Sequence, residues 1–578
     1  MKNLTAHVNT RETPQSEPIP GTNQVENNAG GYVWEVDPWQ RLLRFLILGT
    51  QGGTYYATEK ELTAESAKAL VDLVKLDGLR FVRTTVEVSD AGRAPKSAPA
   101  IFALALASKF GDAPTKAAAY AAVGRVCRIG THLFQWAEAI RAFGGFSKGP
   151  QRALARWYQG AGVAPVGDDG ENFALGGHAR WLALQAVKYQ QREGWSHRDL
   201  LRLAKPGAAG RRVERDAATD AVLTWITKGT AGADAPALIH AFEEAKAIGL
   251  AGAVTAAGRA RLVTLIGETH LPRECIPTAY LNAPDVWAAL LDNGGRGMPL
   301  TAMIRNLGKM GSIGMLAPLS DTTARVVAAL GDVEAMRRAR VHPLGVLVAL
   351  ATYKSGHGAR GSLSWAPVAQ VVDALDAAFY TAFGTVEPTG KRFLLALDVS
   401  GSMDSGNIAG LPGITPRVGA AAMALVTAAV EPQHHIVGFT ANGYGGGPSM
   451  HGRAYPAAIT ELAMSPRQRL DDVARYMRGL SMGGTDCALP MLYAMDRGIA
   501  ADVVVIVTDN ETWSGSIHPS QALQQYRAHT GLRTKLVVVG MTSNNFTIAD
   551  PRDPGQMDVV GFDVATPNII SGFAMDRF

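Results

Sequence analysis

From about Trp39 to Tyr380, apolar residues recur at helical spacing in a succession of Ala- and Leu-rich segments of about 10 to 16 residues. Gly, Pro and Asp punctuate them, and alternating strand patterns are almost absent. In "PALIHAFEEAKAIGL", Leu238, Ile239, Phe242 and Ala245 share one face, with Pro236 near the start and Gly249 as the stop. "HPLGVLVALATY", His342 to Tyr353, has the same character. Helices this short cannot bury their faces alone, so the expectation is stacked helix pairs of the HEAT or armadillo kind, although no strict period runs through them. Near residue 385 the pattern changes. Strands at Phe393–Leu397, Ile436–Phe439, Val503–Val507 and Leu536–Val539 are expected to alternate with helices at Val418–Val430, Gln468–Leu480, Leu489–Asp496 and Pro519–His529. Continuous apolar runs such as "DVVVIVTD" and "KLVVVG" predict a parallel sheet covered on both faces, hence an α plus α/β multidomain chain.

The first 28 residues, up to "GTNQVENN", lack both an apolar period and a signal-peptide core, and are expected to form a flexible tail. The domain boundaries that follow are 1–28, 29–385 and 386–578. The longest uncharged apolar stretch, Val418 to Val430, is shorter than the roughly 20 residues of a membrane span, which argues against a membrane role. Cys127, Cys275 and Cys487 are odd in number, far apart and without metal-ligand spacing, which fits a reducing, cytoplasmic setting.

The formal net charge of +5 is unevenly spread. From Lys391 onward there are 14 basic against 16 acidic residues, so the remainder holds 42 against 35. The excess is densest in "VKYQQREGWSHRDLLRLAKPGAAGRRVER", where Lys188, Arg192, Arg198, Arg202, Lys205, Arg211, Arg212 and Arg215 face Glu193, Asp199 and Glu214. A phosphate-backbone partner has this footprint; a solvated helix face is the plainer alternative. Within the run, Ser196 and Asp199 make a capping box that puts His197 at a helix N-terminus, where amides and the dipole favour a phosphate and an imidazole can stack on an unpaired base. A histidine at a surface cap can also do nothing, and Trp195 suits a core position better than a stacking platform. "HRDL" opens a kinase catalytic loop, but Ala204 stands where the asparagine belongs and no companion motif is present.

"LALDVSGSMDSG" ends a strand at Asp398 and follows it with Ser400 and Ser402. It lacks the Gly-x-Ser-x-Gly of a serine hydrolase, the Gly-Lys-Ser/Thr of a phosphate loop, and the second acid of an aspartyl phosphatase, since Ser400 occupies that place. With Thr485 of "GGTD" and Asp509 of "VTDNET", it forms a hard-oxygen set suited to Mg²⁺, which takes about six oxygens and keeps several waters. In open α/β sheets, ligands sit beyond the carboxyl ends of strands, where Asp398 and Asp509 both fall. A simple polar turn with Asp398 and the serines as caps is the alternative.

The set resembles the metal-ion-dependent adhesion site of von Willebrand factor A domains, with all five positions filled. More widely, "GGYVWEVDPWQRLLRFLILGTQGGTYY", "VCRIGTHLF", "KYQQREGWSHRDLLRL", "PLTAMIRNLGKM", "TYKSGHGARG", "AAFYTAFGTVEPTGKRFLLALDVSGSM", "MGGTDCALPM", "VTDNETWSGSIHP" and "GMTSNNFTIADP" resemble the Ro autoantigen family, from about residue 22 to the C-terminus. "GVAPVGDDGENFALGGH", Gly162 to His178, and the stretch Arg215 to Arg261 depart from the pattern. The resemblance implies a ring of helical repeats (the TROVE module, 29–385) closed by a Rossmann-like von Willebrand A domain (386–578). It further implies a noncatalytic, monomeric protein that binds small noncoding Y RNA and single-stranded 3′ ends of misfolded RNAs, with relatives in bacteria presenting RNA to polynucleotide phosphorylase. The family's RNA-contacting histidine maps to His197, with Lys188, Arg192 and Arg198 following and Arg202 and Lys205 beside them. The competing expectation is a Mg²⁺-dependent adhesion module whose metal takes a carboxylate from a protein partner, RNA binding being secondary.

Overall fold

A computed structural model describes residues 12–50, 59–160, 168–204, 216–358, 362–384, 386–411, 413–441, 458–465, 468–480 and 483–577. The chain divides into two compact units. One takes in the N-terminal residues to Ala69, Arg93–Pro95 and everything from Phe383; the other takes in Leu70–Gly92 and Lys96–Ala382.

The second unit is helical, as expected. Its helices pack in sequential pairs, such as Ala98–Phe110 with Ala113–Val126 and Pro343–Ser355 with Ala369–Thr381. The expected helix at "PALIHAFEEAKAIGL" is Ala237–Leu250, which runs one residue past Gly249 and buries Leu238, Ile239, Ala241 and Ala245. Phe242 is only half-buried, because it turns toward an open cavity rather than the core.

The first unit contains a six-stranded sheet in the order Gln556–Val560, Lys535–Gly540, Val503–Thr508, Phe393–Asp398, His434–Phe439, Ile459–Glu461. All neighbours are parallel except the edge strand Ile459–Glu461, which runs antiparallel to His434–Phe439. Of the four inner strands, those starting at Phe393, Val503 and Lys535 are buried nearly throughout, which is why they present as unbroken apolar runs. Phe393–Asp398 lies between the strand that follows it and Val503–Thr508, so the chain leaves it to both sides. That is the switch point at which an open sheet offers a cleft.

Residues 12–28 do not form a flexible tail. Val25–Glu26 pairs with Tyr32–Glu35, and Tyr32–Glu35 pairs with Phe546–Thr547, giving a small antiparallel sheet on the A domain. Gln15 and Asn27 are buried, and the helix Pro38–Leu48 sends a fully buried Arg44 to Asp558 at 2.6 Å and to the carbonyls of Asn544 and Phe546 at 2.9 and 2.8 Å. The polar composition that argues for disorder is instead satisfied by polar groups of the A domain, so this unit includes residues well before 386.

Candidate metal centre and basic surface

Asp398 is the last residue of its strand and is fully buried. Its Oδ1 accepts the Ser400 amide at 2.9 Å, and its Oδ2 accepts the Thr508 hydroxyl at 2.7 Å. The hydroxyls of Ser400 and Ser402 are 3.1 Å apart. Asp509 follows the neighbouring strand; its Oδ1 accepts the Glu511 amide at 3.1 Å, and its carbonyl accepts Asn544 Nδ2 at 2.5 Å. Thr485 is buried in the adjoining loop, whose carbonyl at that residue takes the amides of Trp513 and Ser514 at 3.1 and 3.2 Å. The five residues expected at the metal site thus lie on three loops at the carboxyl edge of the sheet.

Electrostatics single these carboxylates out. Burial, then the charge of Asp398, then that of Glu511, push the Asp509 carboxyl up to about 8, and burial raises Asp398 and Glu511 as well. The buried Arg417 guanidinium holds the loop from behind, donating to the Val399 and Ser400 carbonyls at 2.9 and 3.2 Å and pairing with Asp404 at 3.0 Å. Among the described residues neither Asp398 nor Asp509 is in an ion pair, and burial outweighs the favourable charge of Arg417 at Asp398, so the two buried carboxylates repel each other. Among the described residues no three His, Cys, Asp or Glu side chains gather into a metal-binding group. The donor set is therefore two carboxylates with three hydroxyls, which fits a hard divalent cation such as Mg²⁺ and not the nitrogen and sulfur chemistry of zinc.

In the helical unit, Gln191–Arg192 and Trp195–Ser196 form a hairpin around Glu193 and Gly194, both with positive φ (52° and 75°), the two-residue turn that matches strand twist. Ser196 and Asp199 make the expected capping box: the Ser196 amide donates to Asp199 Oδ2 at 3.1 Å, and the Asp199 amide to Ser196 Oγ at 3.3 Å. The hairpin and the helix His197–Ala204 leave Arg192, Arg198 and Arg202 exposed. Arg192 has Glu193 beside it at 3.1 Å, and Lys188 lies half-buried with its ammonium 5.3 Å from the Tyr189 ring centre. Lys205, Arg211, Arg212 and Arg215 lie outside the described residues, as do residues 162–167 of the Gly162–His178 insert.

His197 is corrected by the structure. It is buried, 3% exposed, between Phe134 at 4.8 Å and Trp157 at 6.2 Å. Its Nε2 lies 3.2 Å from the Gln185 carbonyl, which can only accept, so Nε2 carries the proton and Nδ1 accepts the Tyr158 hydroxyl at 2.8 Å. Burial pulls its pKa down to about 4. The capping box was legible, but nothing in the sequence showed that the ring turns inward onto Phe134, Trp157 and Tyr158. Trp195 is half-buried, donating to Glu138 at 3.0 Å beneath Arg141, 5.4 Å from its ring centre.

Beside Arg198 a cavity of about 620 Å³ opens between the hairpin and the helices Ala217–Lys228 and Ala237–Leu250, lined by Gln190, Ser196, Trp225, Phe242 and Lys246 among others. Sequence reasoning missed it because its walls come from segments far apart in the chain, from Ala186 to Thr278. It likewise missed Gln15 and Asn28, which reach the metal loops from the N-terminal segment.

Helices in sequential pairs together with a von Willebrand A sheet bearing a five-residue oxygen site define a protein of the TROVE plus von Willebrand A class. The TROVE domain family matches residues 25–237 and 255–352, and the Ro60 vWA domain family matches 392–574. The chain is 40% identical over 577 residues to a Deinococcus radiodurans protein described as RNA-binding protein RO60, covering 99% of both. It is 32% identical to a Caenorhabditis elegans protein of the same description, covering 96% of this chain and 90% of that one. The crystal structure of Deinococcus radiodurans RO (RSR) protein superposes with a TM-score of 0.65 at 38% identity, over 94% of this chain and 100% of that one. The chain belongs to the Ro60 family. The TROVE match skips 238–254, within the stretch noted above as departing from the pattern.

Proposed function

We propose that this chain is a noncatalytic RNA-binding scaffold of Ro type. Its helical unit would hold a small noncoding RNA of the Y class against the Arg192–Arg202 surface and accept single-stranded 3′ ends of misfolded RNAs. An exoribonuclease of the polynucleotide phosphorylase kind would take the RNA onward. The observation that carries the reading is the capped hairpin–helix unit, which holds three arginines out to solvent on a backbone fixed by Asp199 and by the buried His197. Guanidiniums held this way match phosphate oxygens, while a helix N-terminus adds amides of the same polarity. The two relatives described as RNA-binding proteins support it, and the three buried, unpaired cysteines suit a cytoplasmic location. Among the described residues no helix is long and apolar enough to cross a membrane. Replacing Arg192, Arg198 and Arg202 together by Ala should weaken binding of a structured RNA and make log Kd less steep in log salt by about 2 to 3. An unchanged salt slope with unchanged affinity would remove this surface from the RNA path.

The repulsion between the buried Asp398 and Asp509 carboxylates favours a second activity beside the first. Mg²⁺ held by Asp398, Ser400, Ser402, Thr485 and Asp509 would keep an open position for a carboxylate from a protein partner. Bound there, the ion supplies positive charge to a partner's acidic side chain; the loop residues orient it and exclude water from the back of the site.

A further inference from the structure

The loops bearing Thr485 and Asp509 are joined by a residue nearly 500 positions away. Gln15 is fully buried, and all the hydrogen-bonding capacity of its side-chain amide nitrogen is used. Nε2 donates to Asp486 Oδ1 at 2.6 Å and to the Ile517 carbonyl at 2.8 Å, while Oε1 accepts the Thr512 hydroxyl. Asp486 and Ile517 offer only acceptors at those atoms, which fixes the orientation of the amide. Thr512 Oγ1 in turn accepts the Cys487 amide at 3.1 Å, so Gln15 bridges the loop after Gly483 to the loop after Asp509. Its backbone extends the same link: the Gln15 amide donates to the Gly515 carbonyl at 2.9 Å, and the Tyr32 amide donates to the Gln15 carbonyl at 2.8 Å.

Two further contacts from this segment reach the Asp509 loop. Asn27 Nδ2 donates to the Thr512 carbonyl at 2.8 Å. The Asn28 amide and Nδ2 donate to the two oxygens of Glu511, at 3.0 and 2.8 Å, and hold that carboxylate in place two residues from Asp509. The approach is too close for side chains at two points. A Cβ on Gly31 would collide with the Thr512 carbonyl, and one on Gly515 with Gln15 Nε2 and Asp486 Oδ1. Shapes cut this closely mark a built junction.

We propose that Gln15 is a positioning residue for the metal site. By tying Asp486 to Thr512 and Ile517, it sets the spacing between Thr485 and Asp509, so that docking of residues 12–31 and binding of the divalent cation strengthen each other. The proposal rests on reading Asp398, Ser400, Ser402, Thr485 and Asp509 as Mg²⁺ ligands. Groups that orient ligands from behind typically change metal affinity by about 10- to 100-fold when removed. Because coupling is reciprocal, the factor by which docking tightens Mg²⁺ is the factor by which Mg²⁺ holds the segment down.

The test uses the full chain with Mg²⁺ alone as probe, titrated by calorimetry, and hydrogen exchange of residues 12–31 with Mg²⁺ or with chelator. Gln15→Met, which keeps volume and loses the hydrogen bonds, should bind Mg²⁺ about tenfold more weakly or worse. Gln521→Ala, which removes the side-chain contacts to Thr13 and leaves those of Gln15 in place, should stay near the parent affinity. RNA affinity should not move in either. In the parent, Mg²⁺ should slow exchange across residues 12–31, a readout that holds even if Gln15→Met does not fold. Parent-like Mg²⁺ affinity in Gln15→Met, or exchange indifferent to Mg²⁺ in a parent that binds it, overturns the proposal alone. A parent that takes up no Mg²⁺ overturns the metal-site reading and the proposal with it.

Discussion

Replacing His197 by Ala separates a residue that touches RNA from one that builds the surface touching it. The ring is buried against Phe134 and Trp157, and its removal takes the Nδ1 acceptor from the Tyr158 hydroxyl, while the Gln185 carbonyl keeps the Tyr189 amide at 3.0 Å. Truncating a buried ring costs roughly 3 kcal/mol or more, and an unpaired buried polar group adds about 1 kcal/mol. A loss of about 4 kcal/mol lowers the melting temperature of a unit this large by roughly 8 to 16 °C. The same residue sets a pH dependence. Its folded pKa of about 4 lies below the unfolded value, so the stability it contributes as a neutral ring is fully present above about 6.5 and is lost as pH falls toward 4, by about 3 kcal/mol in all. His132, buried and pulled down to about 3, acts in the same direction. Calorimetric melts of parent and His197→Ala from pH 7.5 to 4.5, beside RNA-binding isotherms over a salt series, give the assay. The variant should melt early at neutral pH, show a shallower acid slope, and keep the parent's salt slope. A variant that melts within a degree of the parent yet binds RNA tenfold more weakly would show that His197 contacts RNA directly and that its inward placement is wrong.

Asp398→Ala should abolish any Mg²⁺-dependent rise in melting temperature and leave RNA affinity unchanged, measured by melts with Mg²⁺ or chelator and by RNA titration. Asp509 carries a folded pKa of about 8, above its unfolded value, so the metal-free A domain should lose stability as pH rises from about 4 to about 8; Asp509→Asn in chelator should flatten that dependence, and parent-like curvature would refute the carboxylate repulsion. Arg44→Met should strand Asp558 and two carbonyls and cost about 3 to 5 kcal/mol, read in the melting of the A domain unit; a change under about 1 kcal/mol would mean that the Pro38–Leu48 helix is not integral to it.

Most of the A domain was legible because the strands from Phe393, Val503 and Lys535 are buried on both faces and so are apolar nearly throughout. The helix Leu489–Asp496 has the expected ends, and the strands from Phe393 and Val503 differ from expectation by one residue. The strands Ile459–Glu461 and Gln556–Val560 escaped notice because edge positions relax that demand; residues at Glu461, Met557 and Asp558 stay partly or fully exposed. The placement of Asp398 and Asp509 was legible because each sits directly at or after the end of a buried strand, whereas Thr485 lies in a loop between two helices. By itself, then, the sequence determined the two kinds of unit, the capped helix after Ser196, the two aspartates at the carboxyl edge of the sheet and the family. Tertiary structure alone decided that His197 faces inward, that a cavity opens between Arg198 and Phe242, and that Gln15 ties Asp486 to Thr512 and Ile517. Periodicity and capping are local signals, whereas these three depend on which distant surfaces meet, and a buried glutamine has the same letter as a solvated one.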